Sequence, residues 1–161
     1  MARPCGGIPA LPKRFVGWLK DFQYHEEHPI DKALVIRDSD RKDPEKLEAD
    51  LKNLLNKSGF TPTFPVHFYA TRCMVETWLL ADEQALGKVS LVRGRTRSIK
   101  SVNWRLEEII DPKSLFLRML SEASLSADDK VYEEIACAAD LDRIAERCPH
   151  FYEFRELVHA C

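Results

Sequence analysis

The sequence lacks the features that mark several large classes of protein. None of its five cysteines stands in a C-x-x-C pair, so no structural zinc site is indicated and free thiols in a reducing compartment are expected. No apolar run approaches the about 20 residues of a membrane span, and the first residues carry no apolar stretch of a secretory signal. We therefore expect a cytoplasmic protein without a membrane partner.

Motifs of the common nucleotide-binding and hydrolytic enzymes are also missing. The chain contains no P-loop, no dinucleotide-binding glycine pattern and no G-x-S-x-G elbow. The string His25-Glu26-Glu27-His28 spaces its histidines three apart instead of the four that a zinc protease needs. The net charge is −2, from 24 basic and 26 acidic residues, so any phosphate-binding surface has to be local.

The composition is that of one globular domain. The 161 residues are 45% hydrophobic and 31% charged, and no repeat or Gly/Ser-rich linker divides them. We predict a single domain over residues 1–161. It has a loop-like start at 1–10, an α/β part at 11–98 and a helical part at 99–161.

Apolar spacing predicts the order of the helices and strands. Short apolar runs predict strands at 33–36 and 66–70, with a third at 89–92. Helical spacing follows the first strand from Asp43-Pro44, where Asp is an N-cap and Pro opens the first turn, and it returns at 74–79. This order predicts an α/β fold with a small parallel sheet flanked by helices and a helical carboxy-terminal half.

The strongest candidate site is Asp38-Ser39-Asp40, directly after the strand predicted at 33–36. Parallel α/β sheets bind their ligands beyond the carboxyl ends of the strands. Two carboxylates two residues apart can face one point there, and a hard cation such as Mg²⁺ (or Mn²⁺) suits them. An ordinary polar turn is the alternative, but Asp43 already supplies the cap of the next helix.

Two further features carry charge that a site could use. Glu76 lies among apolar residues after the second strand and could approach the same sheet edge as Asp38, although an exposed helix position is equally compatible. The basic residues Arg93, Arg95 and Arg97 could hold a phosphate backbone without reading bases. A solvated loop is the simpler interpretation of that segment.

The residues also resemble a known family. The string at 33–40, A-L-V-I-R-D-S-D, resembles the D-x-D motif of the Toprim domains of topoisomerases, primases and overcoming-lysogenization-defect (OLD) nucleases. It is closer to a family of Toprim-like bacterial proteins of unknown function that are often encoded beside an ATPase gene. The string at 74–82 and the pattern from Asp140 to Phe154 resemble that family as well, so the resemblance spans most of the chain from Pro4 onward.

The resemblance implies a Rossmann-like Toprim fold and magnesium-dependent phosphodiester chemistry on nucleic acid, as in a nuclease. Asp38 and Asp40 match the D-x-D acids, and Glu76 matches the family's glutamate. All three are therefore candidate metal ligands and catalytic residues. A co-encoded ATPase is the implied protein partner.

Two other interpretations stay open. No V-E-G-like strand precedes Asp38 in this sequence, so the chain could be a catalytically incomplete partner or regulatory module of an ATPase system. Phosphatases of the haloacid-dehalogenase type also place D-x-D after a buried strand, with the first Asp as nucleophile. Their pattern continues with Thr or Val, whereas Arg41-Lys42 follows here, and Asp128-Asp129 would have to be their magnesium acids.

Overall fold

The computed structural model describes residues 11–25, 29–72, 74–94, 99, 101–102 and 105–159. Over these residues the chain is α/β and mostly helical, with eight α-helices and one parallel sheet of two strands. It divides into two compact units, residues 1–72 and residues 73–160. None of the described helices is both long enough and apolar enough to span a bilayer.

The first unit holds the sheet. Its elements are α1 (Leu11–Gln23), β1 (Ala33–Asp38), α2 (Pro44–Lys57) and β2 (Val66–Thr71). The second unit is helical over its described residues. Its elements are α3 (Val75–Ala81), α4 (Glu83–Val92), a 3-10 turn (Leu106–Glu108), α5 (Pro112–Glu122), α6 (Asp129–Ala138), α7 (Leu141–Arg147) and α8 (Pro149–His159).

The helix α2 begins where its sequence signals predict. The Asp43 carboxylate accepts hydrogen bonds from the backbone N–H groups of Glu45 (3.0 Å) and Lys46 (3.3 Å), and Pro44 opens the first turn. Gly59 follows the last turn at φ 69°, a left-handed conformation that glycine adopts without steric cost. This helix is the crossover that parallel pairing of β1 and β2 requires.

The sheet packs one face on the core of the first unit. β1 and β2 pair in parallel from Ala33 with Val66 to Asp38 with Thr71, as the strand–helix–strand order predicts. The paired residues Val35 and Phe68 are both buried, and the ring of Phe15 from α1 meets Phe68 edge-on at 5.9 Å. The buried core cluster comprises Leu11, Phe15, Leu19, Val35, Leu51, Phe64 and Phe68.

A side chain also supports β2. The Glu48 carboxylate on α2 accepts a hydrogen bond from the backbone N–H of Ala70 at 2.9 Å. Ala70 is buried, so its N–H needs a partner, and this one comes from a helix instead of from a strand. The bond ties the helix to the strand near the carboxyl end of the sheet.

The prediction of a third strand at 89–92 is wrong, because these residues form the last turn of α4. Ala85, Leu86, Val89 and Ser90 are buried, which is the spacing of one helix face, while Leu91 and Val92 are exposed. A four-residue apolar run does not distinguish a strand from a helix segment by itself. β2 is therefore the last strand among the described residues.

A buried ion network joins α4 to α7 in the second unit. Glu83 is 6% exposed, and its carboxylate pairs with Arg143 at 2.9 Å and with Arg147 at 2.6 Å. The Ser101 hydroxyl donates to the same carboxylate at 2.7 Å. Asp82, which is 1% exposed, caps α4 and also accepts a hydrogen bond from the backbone N–H of Asp140.

The network fixes the charge state of Glu83. Burial by itself raises the pKa of the Glu83 carboxyl, but hydrogen bonds from Ser101, Arg147 and Arg143 outweigh burial and hold the pKa below its ordinary value. The ionised carboxylate therefore stabilises the fold above the ordinary carboxyl pKa. That contribution is lost as the pH falls through the lower pKa of the folded state.

We expect Glu83→Gln to lower the free energy of unfolding by about 3 kcal/mol at neutral pH, because Arg147 loses its buried counter-ion and Arg143 loses one of its two, keeping Asp82 at 3.4 Å. The difference from the unmodified chain should shrink in acid, once Glu83 is itself protonated. Urea denaturation at neutral and acid pH measures both values. Glu122→Gln is the control, since this exposed residue lies 4.0 Å from Arg118 and should change stability little. An equal loss at both pH values would contradict the expectation.

Candidate functional site

The two strands end at one edge of the sheet. Asp38 is the last residue of β1, Thr71 is the last residue of β2, and the two are partners in the parallel register. The Thr71 hydroxyl donates a hydrogen bond to Asp38 Oδ1 at 3.1 Å. Thr71 is 1% exposed, so the bond fixes one carboxylate oxygen from a rigid position while Asp38 remains half-buried.

A tight turn follows Asp38. The Lys42 N–H donates to the Ser39 carbonyl at 2.9 Å, and the two residues between them have positive φ, 47° at Asp40 and 67° at Arg41. Such turns favour Asp, Asn and Gly, and Arg in this conformation costs about 1 kcal/mol. Strained backbone of this kind concentrates at functional sites.

The same turn buries a hydroxyl group without satisfying it. Ser39 is 1% exposed, and within the described part of the chain its Oγ has no hydrogen-bond partner. An unsatisfied buried polar atom costs about 1–3 kcal/mol. The turn after β1 therefore combines two local costs: an unpaired hydroxyl at Ser39, between the two candidate carboxylates, and strain at Arg41, directly after the second one.

The neighbouring acids have separate structural roles. Asp43 caps α2 as the sequence predicts, so its carboxylate is engaged with backbone N–H groups. Asp38 has a structural contact of its own, since it accepts the Thr71 hydroxyl. A carboxylate has about four lone-pair sites, so the Thr71 bond occupies only one of those of Asp38.

Glu76 belongs to the second unit. It lies in the first turn of α3 and is half-buried. Burial raises the pKa of Tyr132 in α6, and the negative charge of Glu76 raises it further. The alternative to a site residue was an exposed helix position, and the structure has Glu76 in the helix but half-buried. Its joining Asp38 in one site stays a prediction.

The basic segment is only partly described. Arg93 ends α4 and forms two hydrogen bonds of 2.9 Å with the Glu134 carboxylate of α6. This fork holds the pKa of Arg93 above its ordinary value. Its guanidinium is thus already engaged with an anion of the chain itself. Arg95 and Arg97 lie outside the described residues.

Asp128 of the phosphatase interpretation also has a structural role. Its carboxylate caps α6 by accepting the Val131 N–H at 2.9 Å, and it accepts the Ser126 hydroxyl as well. These two bonds, led by that of Ser126, hold the pKa of Asp128 below its ordinary value. Asp129, the other acid of this pair, is the exposed first residue of the helix.

The candidate metal ligands at the sheet end are two carboxylates, those of Asp38 and Asp40. Among the residues that the structure describes, no three or more His, Cys, Asp and Glu side chains form a group that could hold a metal ion. Magnesium needs only one or two protein carboxylates, because water and substrate phosphate complete its shell. The oxygen donors of Asp38 and Asp40 fit that requirement.

Comparisons of the chain with protein-family models, curated proteins and solved structures find no match. Function is accordingly inferred from the site itself.

Thr71 is the contributor that the sequence did not single out. The rule that ligands bind beyond the carboxyl ends of parallel strands finds Asp38 when it is applied only to the first strand. The register also brings the end of the second strand to that edge. Applied to both strands, the rule would have marked Thr71 and Arg72, because they directly follow the run predicted at 66–70.

We expect Thr71→Val to weaken binding of Mn²⁺ at this site by about 10- to 100-fold, because the Asp38 carboxylate loses the hydroxyl that orients it. Thr71→Ser keeps a hydroxyl and should retain most of the affinity. Isothermal titration of the three proteins gives the comparison. Equal affinity in the Val and Ser variants would show that the hydroxyl has no part in the site.

We also expect Arg41→Gly to raise the free energy of unfolding by about 0.5 kcal/mol. Glycine removes the steric cost of the positive φ, and part of the gain is offset by the greater entropy of the unfolded chain. Chemical denaturation measures the change. A loss of stability would mean that the Arg41 side chain contributes more than the strain costs.

Proposed function

We propose that the carboxyl end of the β1–β2 sheet is a Mg²⁺-dependent site (or a Mn²⁺-dependent one) for phosphodiester chemistry on nucleic acid, in a Toprim-like domain. One observation carries the proposal. Asp38 ends β1 and Asp40 follows it by two residues, at the edge of the sheet where β2 ends at Thr71. The Thr71 hydroxyl orients the Asp38 carboxylate there through a hydrogen bond of 3.1 Å. Parallel α/β sheets place their ligands at this position.

The proposed roles follow from the positions of the residues. Asp38 and Asp40 would hold the ion, and Thr71 would position Asp38 from the neighbouring strand. A bound magnesium ion neutralises charge on a phosphate and makes a coordinated water a better nucleophile. The turn at Asp40 and Arg41, with positive φ at both residues, keeps Asp40 within two residues of Asp38 at the end of β1.

Glu76 and the segment of Arg93, Arg95 and Arg97 stay in the proposal as the residues that the family resemblance implies. Glu76 would add a third acid to the site. Arg95 and Arg97 would contact the nucleic-acid backbone. Arg93 would have to exchange its bond with Glu134 for a phosphate.

A catalytically incomplete module is the second candidate. The observation that favours it is the absence, among the described residues, of a group of three metal-ligating side chains. Such a protein would bind a divalent cation weakly or not at all, would cleave no nucleic acid, and would act by binding a partner such as a co-encoded ATPase.

The deciding experiment compares the unmodified chain with Asp38→Asn/Asp40→Asn. We expect Mn²⁺ or Mg²⁺ binding by calorimetry and cleavage of labelled DNA or RNA by the unmodified chain, and loss of both in the double variant. Asparagine keeps the size of each side chain, so the thermal midpoint should stay within a few degrees.

Asp50→Asn is the matched control, because Asp50 is an exposed acid of α2 and its loss should leave binding and cleavage unchanged. Cleavage retained by the double variant would refute the assignment of the site. A well-folded chain that cleaves nothing with either metal would favour the second candidate.

A further inference from the structure

Cations gather at the same end of the sheet as the two carboxylates. Arg41 and Lys42 stand in the turn after β1, and Arg72 directly follows β2; all three are exposed. The pairing of Asp38 with Thr71 and the turn bond from Lys42 to Ser39 tie these residues to one edge. With neighbouring strands about 4.8 Å apart, their backbones lie within a region on the order of 10 Å across.

Arg41, Lys42 and Arg72 differ from the described arginines of the second unit in whether they form ion pairs within the chain. Every described arginine of that unit forms an ion pair with a carboxylate of the chain. The pairs are Arg93–Glu134, Arg105–Glu108, Arg118–Glu122, Arg143–Glu83, Arg147–Glu83 and Arg155–Asp142. Within the described residues, no such pair is formed by Arg41, Lys42 or Arg72.

Three exposed like charges in one small region repel one another and raise the local positive potential. Asp38 and Asp40 belong to the same segment, and a cation bound by their carboxylates would cancel the negative charge that they place near the three basic side chains. An anionic ligand at the sheet end would supply negative charge in its place.

We propose that Arg41, Lys42 and Arg72 form a basic rim that binds the phosphates of a nucleic-acid strand on both sides of the phosphate that a metal ion at Asp38 and Asp40 would hold. This proposal rests on the proposed function, since the strand that the rim holds is the substrate of that site. Arg41 and Lys42 lie on the β1 side of the edge and Arg72 on the β2 side. A chain of phosphates reaches both sides, whereas one isolated phosphate does not.

In this proposal Arg41, Lys42 and Arg72, instead of Arg93, contact the nucleic-acid phosphates next to the two carboxylates. These cations are exposed and ready for an external anion, while the Arg93 guanidinium already binds Glu134 through two bonds. Phosphate contacts of this kind give affinity without base readout, so binding should depend on salt and little on sequence.

Fluorescence anisotropy with a labelled oligothymidylate, in EDTA and over a series of KCl concentrations, tests the rim without any metal. The variant is Arg41→Gln/Lys42→Gln/Arg72→Gln. Each phosphate contact on a single strand contributes about 0.7 to the slope of log K against log salt. We expect the slope of the unmodified chain to fall by about 2 in the variant, with weaker binding at every salt concentration.

Lys52→Gln/Lys57→Gln/Lys130→Gln is the matched control, because it removes the same charge from exposed positions on α2 and α6. Its slope should equal that of the unmodified chain. If the triple rim variant does not fold, Lys42→Gln and Arg72→Gln are measured singly, each with an expected loss of about 0.7. Equal slopes in the rim variant and the control would overturn the rim, as would no binding by the unmodified chain at low salt.

The two proposals fail in different ways. Cleavage that depends on Asp38 and Asp40, with unchanged salt dependence in the rim variant, would overturn the rim and leave the proposed function in place. Loss of strand binding in the rim variant of a chain that cleaves nothing would support the rim and refute catalysis at the sheet end.

Discussion

The parallel pairing of β1 with β2 is the constraint on which the first unit depends. Parallel strands need a crossover, and α2 supplies it, capped by Asp43 and closed at Gly59. The same pairing brings the ends of both strands to one edge, where the Thr71 hydroxyl binds the Asp38 carboxylate. A two-stranded sheet has little stability of its own, so the core around Phe15 and the bonds from α2 hold it in place.

Charge is used differently in the two units. In the second unit the described arginines pair with acids of the same chain, and the network around Glu83 places a carboxylate inside the protein at the junction of α4 and α7. Removing water from such ions is costly, so each needs its partners to persist. In the first unit the side chains of Arg41, Lys42 and Arg72 near the sheet end are exposed to solvent. The buried ions hold two helices together, whereas no described ion pair includes these exposed cations.

Much of the first unit could be predicted from the sequence, because its signals are local. The apolar run at 33–36 and the Asp43-Pro44 cap define β1 and α2 within a few residues of where the structure has them. The segment at 89–92 failed because four apolar residues fit a strand and a buried helix equally well, and only the burial of Ala85 and Leu86 one turn earlier decides between them. The position of Thr71 at the end of a strand could be predicted, but its bond to Asp38 could not, because the partner lies 33 residues away and only the register brings the two together. The conformation of Arg41 could not be predicted either, because strain is absent from composition and spacing.

The bond from Ala70 to Glu48 has a consequence for how copies of this chain behave toward one another. A strand at the edge of a sheet offers unpaired N–H groups that another chain can pair with, which is a route to aggregation. Here one of those groups is occupied by a carboxylate from α2, and an incoming strand would have to displace it. The charged side chain thus blocks one pairing position on the edge of β2.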